Sequence, residues 1–223
     1  MARKTNIRQN KGMEHAKRAV LLANGRPPLK TILEKHLRGA DFFLCADGGA
    51  NAAARLGFKP DMIIGDLDSI DKTSLRLYSS VKTRLVADQR STDLEKALTY
   101  LVRNGYKQID IFGATGGRTD HAIGNLSGAA KFQRKANIVI YDSDGVLLPV
   151  VSHFEGDFPA GTTVSLIPLT PCEGVITRGL KWNLRYETLS LGVREGTSNQ
   201  VTSQPVTVDV RRGIMFLFRK YRN

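Results

Sequence analysis

Short apolar runs alternate with helical patterns between residues 19 and 141. This alternation predicts βα units on a mostly parallel sheet, in a Rossmann-like α/β domain. The first five runs are each followed by polar or glycine-rich residues. Right-handed crossovers place the carboxyl ends of parallel strands at one edge of the sheet, so these loops are expected to form one binding surface. The predicted strands cover residues 19–23, 42–46, 62–64, 84–86, 109–112 and 137–141.

Two helices between these strands have ends that the sequence predicts. Thr92 and Glu95 match a capping box, with Thr92 as the N-cap of a helix that carries an apolar stripe. A second helix is expected over residues 122–132, with Thr119 or Asp120 as its cap.

After residue 141 the pattern changes to short β-type runs separated by Gly, Pro and Asn. This change predicts a second, all-β domain of the sandwich type. Arg211, Arg212 and Gly213 are expected to join the last two strands as a hairpin. The chain is thus expected to divide into a basic, flexible tail (1–18), an α/β domain (19–144) and a C-terminal β-sandwich (145–223).

The composition is that of a globular protein. Hydrophobic residues make up 41% of the chain and charged residues 24%. Apolar runs are shorter than the roughly 20 residues of a membrane helix, and the basic start lacks the apolar segment of a signal peptide. We therefore expect no membrane association and a cytoplasmic location. Cys45 lies in an apolar run and is expected to be a buried, reduced thiol.

The charge is strongly positive, with 33 Lys and Arg against 21 Asp and Glu and a net charge of +12. Such an excess favours polyanionic partners such as nucleic acid or polyphosphate substrates. The sequence shows no aromatic RNA-binding signature and no helix-turn-helix pattern. Nucleic acid is therefore an alternative partner and not the first expectation.

An acidic cluster follows the third apolar run, in the stretch D-M-I-I-G-D-L-D-S-I-D over residues 61–71. Gly65 is expected to free the backbone so that Asp66 and Asp68 leave the sheet at its carboxyl edge. If the chain is extended through Leu67, both carboxylates point to one side and Leu67 points back into the protein. Paired carboxylates suit Mg²⁺, although a solvated acidic turn is an equally simple explanation. Asp61 and Asp71 are expected to be structural.

Two further loops bring polar residues to the same edge, and each also has a structural explanation. Asp93 could complement a helix dipole, and Asp120 could be a cap. Together with Asp66 and Asp68, however, they would repel one another unless a cation lies among them, and Arg118 after two glycines could approach a phosphate. The combination indicates a Mg²⁺-nucleotide site, although neither a P-loop nor a G-x-G-x-x-G motif is present.

In these motifs the chain resembles the thiamine pyrophosphokinase (thiamin diphosphokinase) family. The resemblance is carried, in order, by A-D-G-G-A-N (46–51), P-D-M-I-I-G-D-L-D-S (60–69), D-Q-x-S-T-D (88–93), G-A-T-G-G-R-T-D-H (113–121), L-K-W-N-L (180–184) and G-T-S-N (196–199). It implies an enzyme that transfers the pyrophosphoryl group of ATP to the hydroxyl of thiamine, giving thiamine diphosphate and AMP. It also implies a homodimer with shared active sites, in which thiamine lies between the α/β domain of one subunit and the β domain of the other.

The resemblance also assigns roles to single residues. Asp93 is in addition our hypothesis for the group that accepts the hydroxyl proton. Trp182 could stack on thiamine, but a lone Trp in a β domain is more often part of the core. The implied sets are Asp66, Asp68 and Asp93 for catalysis and Mg²⁺, Asp47, Gly48, Asn51, Arg118 and Asp120 for ATP, and Gln89, Thr92, Ser198 and Asn199 for thiamine.

Two other functions are compatible with the residues alone. The same acids could serve a Mg²⁺-dependent nucleotide hydrolase with water as the acceptor, and the net charge could serve a nucleotide- or RNA-binding module. Both leave the G-T-S-N motif and the β domain unexplained.

Overall fold

A computed structural model describes residues 16–88 and 90–221 of the chain. It divides into two compact units, one over Ala16–Ser143 and a second that begins at Asp144. We call them the α/β unit and the β unit. The basic residues 1–15 of the predicted tail lie outside the described residues. Residues 16–18, also assigned to that tail from the sequence, are part of the α/β unit because Arg18 begins its first strand.

The α/β unit alternates strands and helices, as predicted. Its elements are β1 (Arg18–Leu22), α1 (Lys30–Leu37), β2 (Phe42–Ala46), α2 (Gly49–Leu56), β3 (Met62–Gly65), α3 (Lys72–Leu77), β4 (Lys82–Leu85), α4 (Asp93–Arg103), β5 (Gln108–Phe112), α5 (Thr119–Ala130) and β6 (Asn137–Tyr141).

Its six strands are parallel and run in the order β6-β5-β1-β2-β3-β4. The chain builds the sheet outward from β1 to β4 and then returns to the other side of β1. The central strands are almost fully buried because helices cover both of their faces. Val20, Cys45 and Ile63 share a core cluster with residues of α1 and α2 and with Ile70 and Tyr78 on either side of α3, whereas α4 packs on β2 and β3. Burial raises the pKa of the Cys45 thiol, which is free as expected.

The edge strand and one helix differ from the sequence prediction. β4 is displaced toward the amino end and all four of its residues are exposed, since no strand of the α/β unit lies beyond it. The predicted caps of α5 are wrong: Arg118 occupies the N-cap position without a side-chain cap bond, and both Thr119 and Asp120 lie inside the helix. Asp120 lies two residues past the N-cap position, and its carboxylate is bonded to the Arg118 guanidinium.

The β unit consists of two antiparallel sheets. One has the order β12-β9-β14-β7 and the other β11-β10-β13-β8. Buried and partly exposed residues alternate along β9 of the first sheet and β13 of the second, so each sheet has one face toward the core. The strands are β7 (Gly145–Val150), β8 (His153–Gly156), β9 (Thr163–Pro168), β10 (Cys172–Arg178), β11 (Glu187–Leu189), β12 (Gly196–Gln200), β13 (Val206–Asp209) and β14 (Met215–Lys220).

The predicted hairpin at residues 211–213 is wrong. β13 pairs with β10 and β8, while β14 pairs with β7 and β9 in the other sheet. The segment between them is therefore a crossover from one sheet to the other. A turn that contains Gly does not by itself predict a hairpin. No helix within residues 16–88 and 90–221 is long and apolar enough to cross a membrane.

Candidate active site

Three carboxylates converge at the carboxyl edge of the α/β sheet. Asp47 follows β2, and Asp66 and Asp68 follow β3, which is the neighbouring strand with Ala46 opposite Ile64. One oxygen of each carboxylate lies within 4.8 Å of the others. Adjacent parallel strands thus deliver the three acids to one point.

The backbone around Asp66 has an unusual conformation. Gly65 has φ of 152°, and a Cβ at this position would lie 2.9 Å from the Cβ of Asp47, so glycine allows the two strands' ends to approach. Leu67 is left-handed, with φ of 66°. The expectation of an extended chain at Leu67 is therefore wrong, yet Leu67 packs against the core and Asp66 and Asp68 still converge.

The electrostatics of this cluster favour a cation. Asp47 is 4% exposed, and burial raises its pKa, with the charges of Asp93 and Asp66 acting in the same direction. The Oδ1 atoms of Asp47 and Asp66 are buried and have no hydrogen-bond partner among the described residues. Buried carboxylate oxygens without a donor are costly unless a metal or a donor meets them, and hard oxygen ligands of this kind fit Mg²⁺.

Asp93 borders this cluster and has a protein partner of its own. Its Oδ1 lies 2.9 Å from the Nζ of Lys96, whose side chain is only 4% exposed. The same oxygen would be 3.2 Å from a Cβ at Gly65, which shows how near Asp93 is to the acid-bearing turn. Sequence reasoning grouped Asp93 with Asp66 and Asp68, whereas the structure brings Asp47 into their group. Lys96 was missed because its amphipathic position in α4 did not distinguish it.

Residues around the cluster hold the acid-bearing turn in place. Asp61 accepts a hydrogen bond from the backbone of Phe43 at 2.7 Å, and Asp71 caps α3 through the backbone of Ser74 at 2.7 Å. Asn51 donates to the carbonyl of Ser69 at 2.8 Å and accepts from the backbone of Asp71 at 3.0 Å. The predicted structural roles of Asp61 and Asp71 are confirmed. Asn51, which was predicted to face ATP, is used here to hold the backbone of the acid-bearing turn.

Two loops are joined where the strand order of the sheet reverses, between β1 and β5. The backbone of Gly25 donates to the carbonyl of Gly113 at 2.7 Å, and that of Arg26 donates to the carbonyl of Thr115 at 2.8 Å. We call the paired segments 23–26 and 113–116 the loop clasp. A Cβ at Gly25 would lie 2.2 Å from the carbonyl oxygen of Thr115, so a side chain would force the loops apart. Ligands of open α/β sheets bind at such a reversal.

The cations beside the loop clasp differ in their availability. Arg118 binds Asp120 through two hydrogen bonds of 3.1 and 2.6 Å, and the guanidinium holds the pKa of Asp120 at about 2. Arg26 is exposed, and its guanidinium donates to the hydroxyl of Ser143 at 3.3 Å. Arg26 has no carboxylate partner among the described residues. Sequence reasoning missed Arg26, although the Asn24-Gly25 turn before it indicated a site loop.

Two other predicted site residues lie near this edge. Gly48 is at the N-cap position of α2, where a Cβ would be 2.4 Å from the Nδ2 of Asn24. Thr92 caps α4 by accepting from the backbone of Glu95 at 3.2 Å, as predicted. The carboxylate of Glu95 binds Lys131 at 2.5 Å instead of completing the capping box. Gln89 lies outside the described residues.

In the β unit, the G-T-S-N and L-K-W-N-L motifs meet. The side chain of Asn199 accepts from the backbone of Trp182 at 3.2 Å and donates to its carbonyl at 2.7 Å. Trp182 is 58% exposed, so the interpretation of this residue as core is wrong. Lys181 lies 4.7 Å from the centre of the Trp182 ring. Ser198 is left-handed, with φ of 58°, and its backbone donates to the hydroxyl of Ser165 at 3.0 Å.

Comparison with known proteins identifies the family. The model of the thiamin pyrophosphokinase catalytic domain matches residues 33–141, and that of the thiamin pyrophosphokinase vitamin B1 binding domain matches residues 152–215. The chain belongs to the thiamin pyrophosphokinase family. It is 32% identical to thiamine pyrophosphokinase 1 of Arabidopsis thaliana, over 85% of this chain and 81% of that protein. It is also 32% identical to thiamine pyrophosphokinase 1 of Oryza sativa subsp. japonica, over 74% of each.

Solved structures of thiamin pyrophosphokinases share the fold. That from Candida albicans has a TM-score of 0.81 at 17% identity, over 92% of this chain and 90% of that one. That from Geobacillus thermodenitrificans has a TM-score of 0.77 at 25% identity, over 92% and 98%. The predicted fold, an α/β domain followed by an all-β domain, is confirmed. The alternatives of a hydrolase and an RNA-binding module receive no support from these relatives.

Proposed function

We propose that this protein is a thiamine diphosphokinase, which transfers the pyrophosphoryl group of ATP to the hydroxyl of thiamine and releases AMP. Membership of the family carries the enzyme class, and the match to a vitamin B1 binding domain supports thiamine as the substrate. The observation from the structure that supports this chemistry is the convergence of Asp47, Asp66 and Asp68 at the sheet edge. Phosphoryl transfer depends mainly on such positioning and on charge stabilisation.

Mg²⁺ is the proposed cofactor, and Asp47, Asp66 and Asp68 are the residues that would hold it. The donor-free buried oxygens of Asp47 and Asp66 support this assignment. A bound Mg²⁺ would neutralise charge on the phosphate oxygens of ATP. Asp93 keeps its proposed roles as a further ligand and as proton acceptor. Lys96 would orient it by holding one carboxylate oxygen.

The ATP phosphates are proposed to lie along the loop clasp. The two segments of the loop clasp lie so close together that there is little room for side chains at its glycines. Glycine also lets a ligand approach the backbone closely. Arg26 belongs to one of the two segments of the loop clasp, and Arg118 follows the other by two residues. Arg118 brings Asp120 with it, so Arg26 supplies the uncompensated positive charge. The roles of Asp47, Gly48, Asn51 and Asp120 toward ATP stay predictions.

The residues proposed to bind thiamine are Ser198 and Asn199, which belong to the β unit, and Gln89 and Thr92, which belong to the α/β unit. Asn199 fixes the backbone of Trp182, whose exposed ring could then meet the cationic thiazolium or the pyrimidine. The homodimer is also a proposal, and sedimentation at twice the 24.6 kDa of one chain would support it. Cell fractionation would test the proposed cytoplasmic location.

A product assay tests the proposed reaction. The protein is incubated with ATP and Mg²⁺, with and without thiamine, and the nucleotide products are separated. We expect AMP to form only when thiamine is present, in equal amount to thiamine diphosphate. ADP as the product, or AMP without thiamine, would contradict the proposal and favour an ordinary kinase or a hydrolase. No turnover together with tight, salt-sensitive RNA binding would favour the binding module.

Replacing Arg26 tests its proposed role in binding the ATP phosphates. Arg26→Ala should raise KM for ATP by about tenfold, since a charge-assisted hydrogen bond to a phosphate is worth roughly 1.5 to 3 kcal/mol. KM for thiamine should change little. Arg26→Lys keeps the charge but not the planar fork and should recover part of the loss.

Arg76→Ala is the matched control, because Arg76 is an exposed arginine of the same unit on α3. Steady-state kinetics with each substrate varied separately provides the measurement. Equal increases in both KM values, or none, would remove Arg26 from the ATP site.

A further inference from the structure

A cavity of about 300 Å³ lies in the α/β unit between the end of β4 and the outer part of α4. Arg84 of β4 and Asp88 of the following loop form one side, and Lys96, Tyr100 and Arg103 of α4 form the other. Its volume is at the lower end of the range for small-molecule sites, about 300 to 1,000 Å³. It therefore suits a compact ligand with few heavy atoms.

The charges of this cavity are unevenly paired. The ammonium of Lys96 is bonded to Asp93 at 2.9 Å, and the carboxylate of Asp88 is bonded to Arg90 at 3.0 Å. Arg84 and Arg103 have no carboxylate partner within the described part of the chain. Two guanidinium groups in one cavity repel each other unless an anion lies with them. The cavity thus has two positive charges available for a ligand.

Arg84 is supported in a way that suits anion binding. Its guanidinium lies over the ring of Tyr100, with 5.4 Å between the guanidinium carbon and the ring centre. Stacking limits the number of conformations of a planar fork and leaves its edge donors free. The hydroxyls of Ser91 and Thr99 also line the cavity and can add hydrogen bonds. Arginine forks with hydroxyls are a common arrangement for phosphate.

We propose that this cavity binds a phosphate group, as inorganic phosphate or as part of a small phosphate monoester. The unpaired positive charges of the cavity disfavour a cation such as the thiazolium ring of thiamine. The cavity also has a connection to the acidic cluster, since Lys96 both lines it and holds Asp93. A phosphate dianion would attract the Lys96 ammonium away from Asp93, so occupancy should change thiamine-dependent turnover. This last step rests on the proposed function.

Binding is measured first in a protein whose acidic cluster cannot hold metal. Isothermal titration calorimetry of the Asp66→Asn/Asp68→Asn protein with inorganic phosphate, in EDTA and chloride buffer, should show one site that weakens as KCl increases. Adding Arg84→Ala or Arg103→Ala should weaken binding by about tenfold each. Arg76→Ala is the matched control and should leave it within about twofold. Titration with methyl phosphate then distinguishes a small monoester from free phosphate as the preferred source.

Several results would overturn this site. These are phosphate and methyl phosphate affinities both weaker than about 10 mM, equal affinities in all variants, or a loss caused by Arg26→Ala in place of Arg84→Ala. The last result would assign the phosphate to the loop clasp. The rate of AMP formation is a second, independent measurement. Phosphate should alter this rate in the native protein but not in Arg84→Ala/Arg103→Ala. If phosphate binds through these arginines and no AMP is formed with thiamine, the proposed function fails while the site stands. If AMP is formed and phosphate does not bind, only the site fails.

Discussion

Thiamine-dependent AMP formation is expected to fall by about 100-fold or more when Asp66 or Asp68 is replaced by asparagine. The substitution keeps the shape of the side chain and removes the charge that would hold Mg²⁺ beside the phosphates. Asp66 and Asp68 lie within 4.8 Å of each other and of Asp47, so loss of either should disable the group. The fold should be retained, because neither carboxylate supports the core.

The thermal midpoint provides a readout that does not depend on turnover. Without metal, the variants should be at least as stable as the native protein, since one of three mutually repelling carboxylates has been neutralised. Mg²⁺ should raise the midpoint of the native protein and leave those of the variants unchanged, because a ligand stabilises only the state that binds it. The matched control is Asp71→Asn, a few residues along the same acidic stretch. Asparagine is also a good N-cap, so this variant should keep both stability and activity.

Retention of full activity by both Asp66→Asn and Asp68→Asn would show that these carboxylates do not hold a metal that turnover needs. Activity lost in Asp71→Asn as well would mean that the acidic stretch as a whole, and not a metal site within it, is what turnover requires.

The second large effect is expected for Asp93→Asn, which should lower kcat by about 100-fold to 10,000-fold if Asp93 accepts the hydroxyl proton. Its pH–rate profile should also differ from that of the native protein, because the general base has been removed. The same change leaves the buried ammonium of Lys96 facing an amide, at a cost of about 1 to 3 kcal/mol in the free energy of unfolding. Activity and stability therefore need to be separated.

A double variant makes that separation. Asp93→Asn/Lys96→Met removes the unpaired cation and should recover stability but not kcat. Glu95→Gln is the control, since Glu95 is in the first turn of the same helix and pairs with Lys131, the C-cap residue of α5. It should have near-native turnover. An unchanged pH–rate profile in Asp93→Asn would remove Asp93 as the proton acceptor, and recovery of kcat in the double variant would make its effect structural.

The sequence predicted the features that depend on local pattern. The succession of strands and helices along the chain follows from apolar periodicity, and the Thr92 cap and the structural roles of Asp61 and Asp71 follow from short-range hydrogen bonds. The sequence-based predictions failed where the structure depends on pairing between strands that are far apart along the chain. Nothing in the residues 211–213 distinguishes a hairpin from a crossover between sheets, because only the partners of β14 decide it.

In the candidate site, too, the features set by local sequence were predicted and those set by strand pairing were not. Acids at the carboxyl ends of strands could be placed on one edge, but their grouping depends on which strands are neighbours. Asp47 joins Asp66 because β2 pairs with β3, and Asp47 then has a buried oxygen that no sequence pattern indicates. Arg26 was missed for a related reason. Its nearness to the glycine-rich loop arises from β1 lying beside β5, which are about ninety residues apart along the chain.

The loop clasp has a consequence for how this surface can change through evolution. Its geometry is carried by main-chain hydrogen bonds from Gly25 and Arg26, and main-chain bonds are the same for every non-proline residue. Glycine is required at positions 25 and 113, where a Cβ would lie 2.2 to 2.4 Å from a carbonyl oxygen. The identity of residue 26 is free by comparison. The side chain offered to the phosphates can thus be exchanged by drift or selection while the shape of the loops is inherited unchanged.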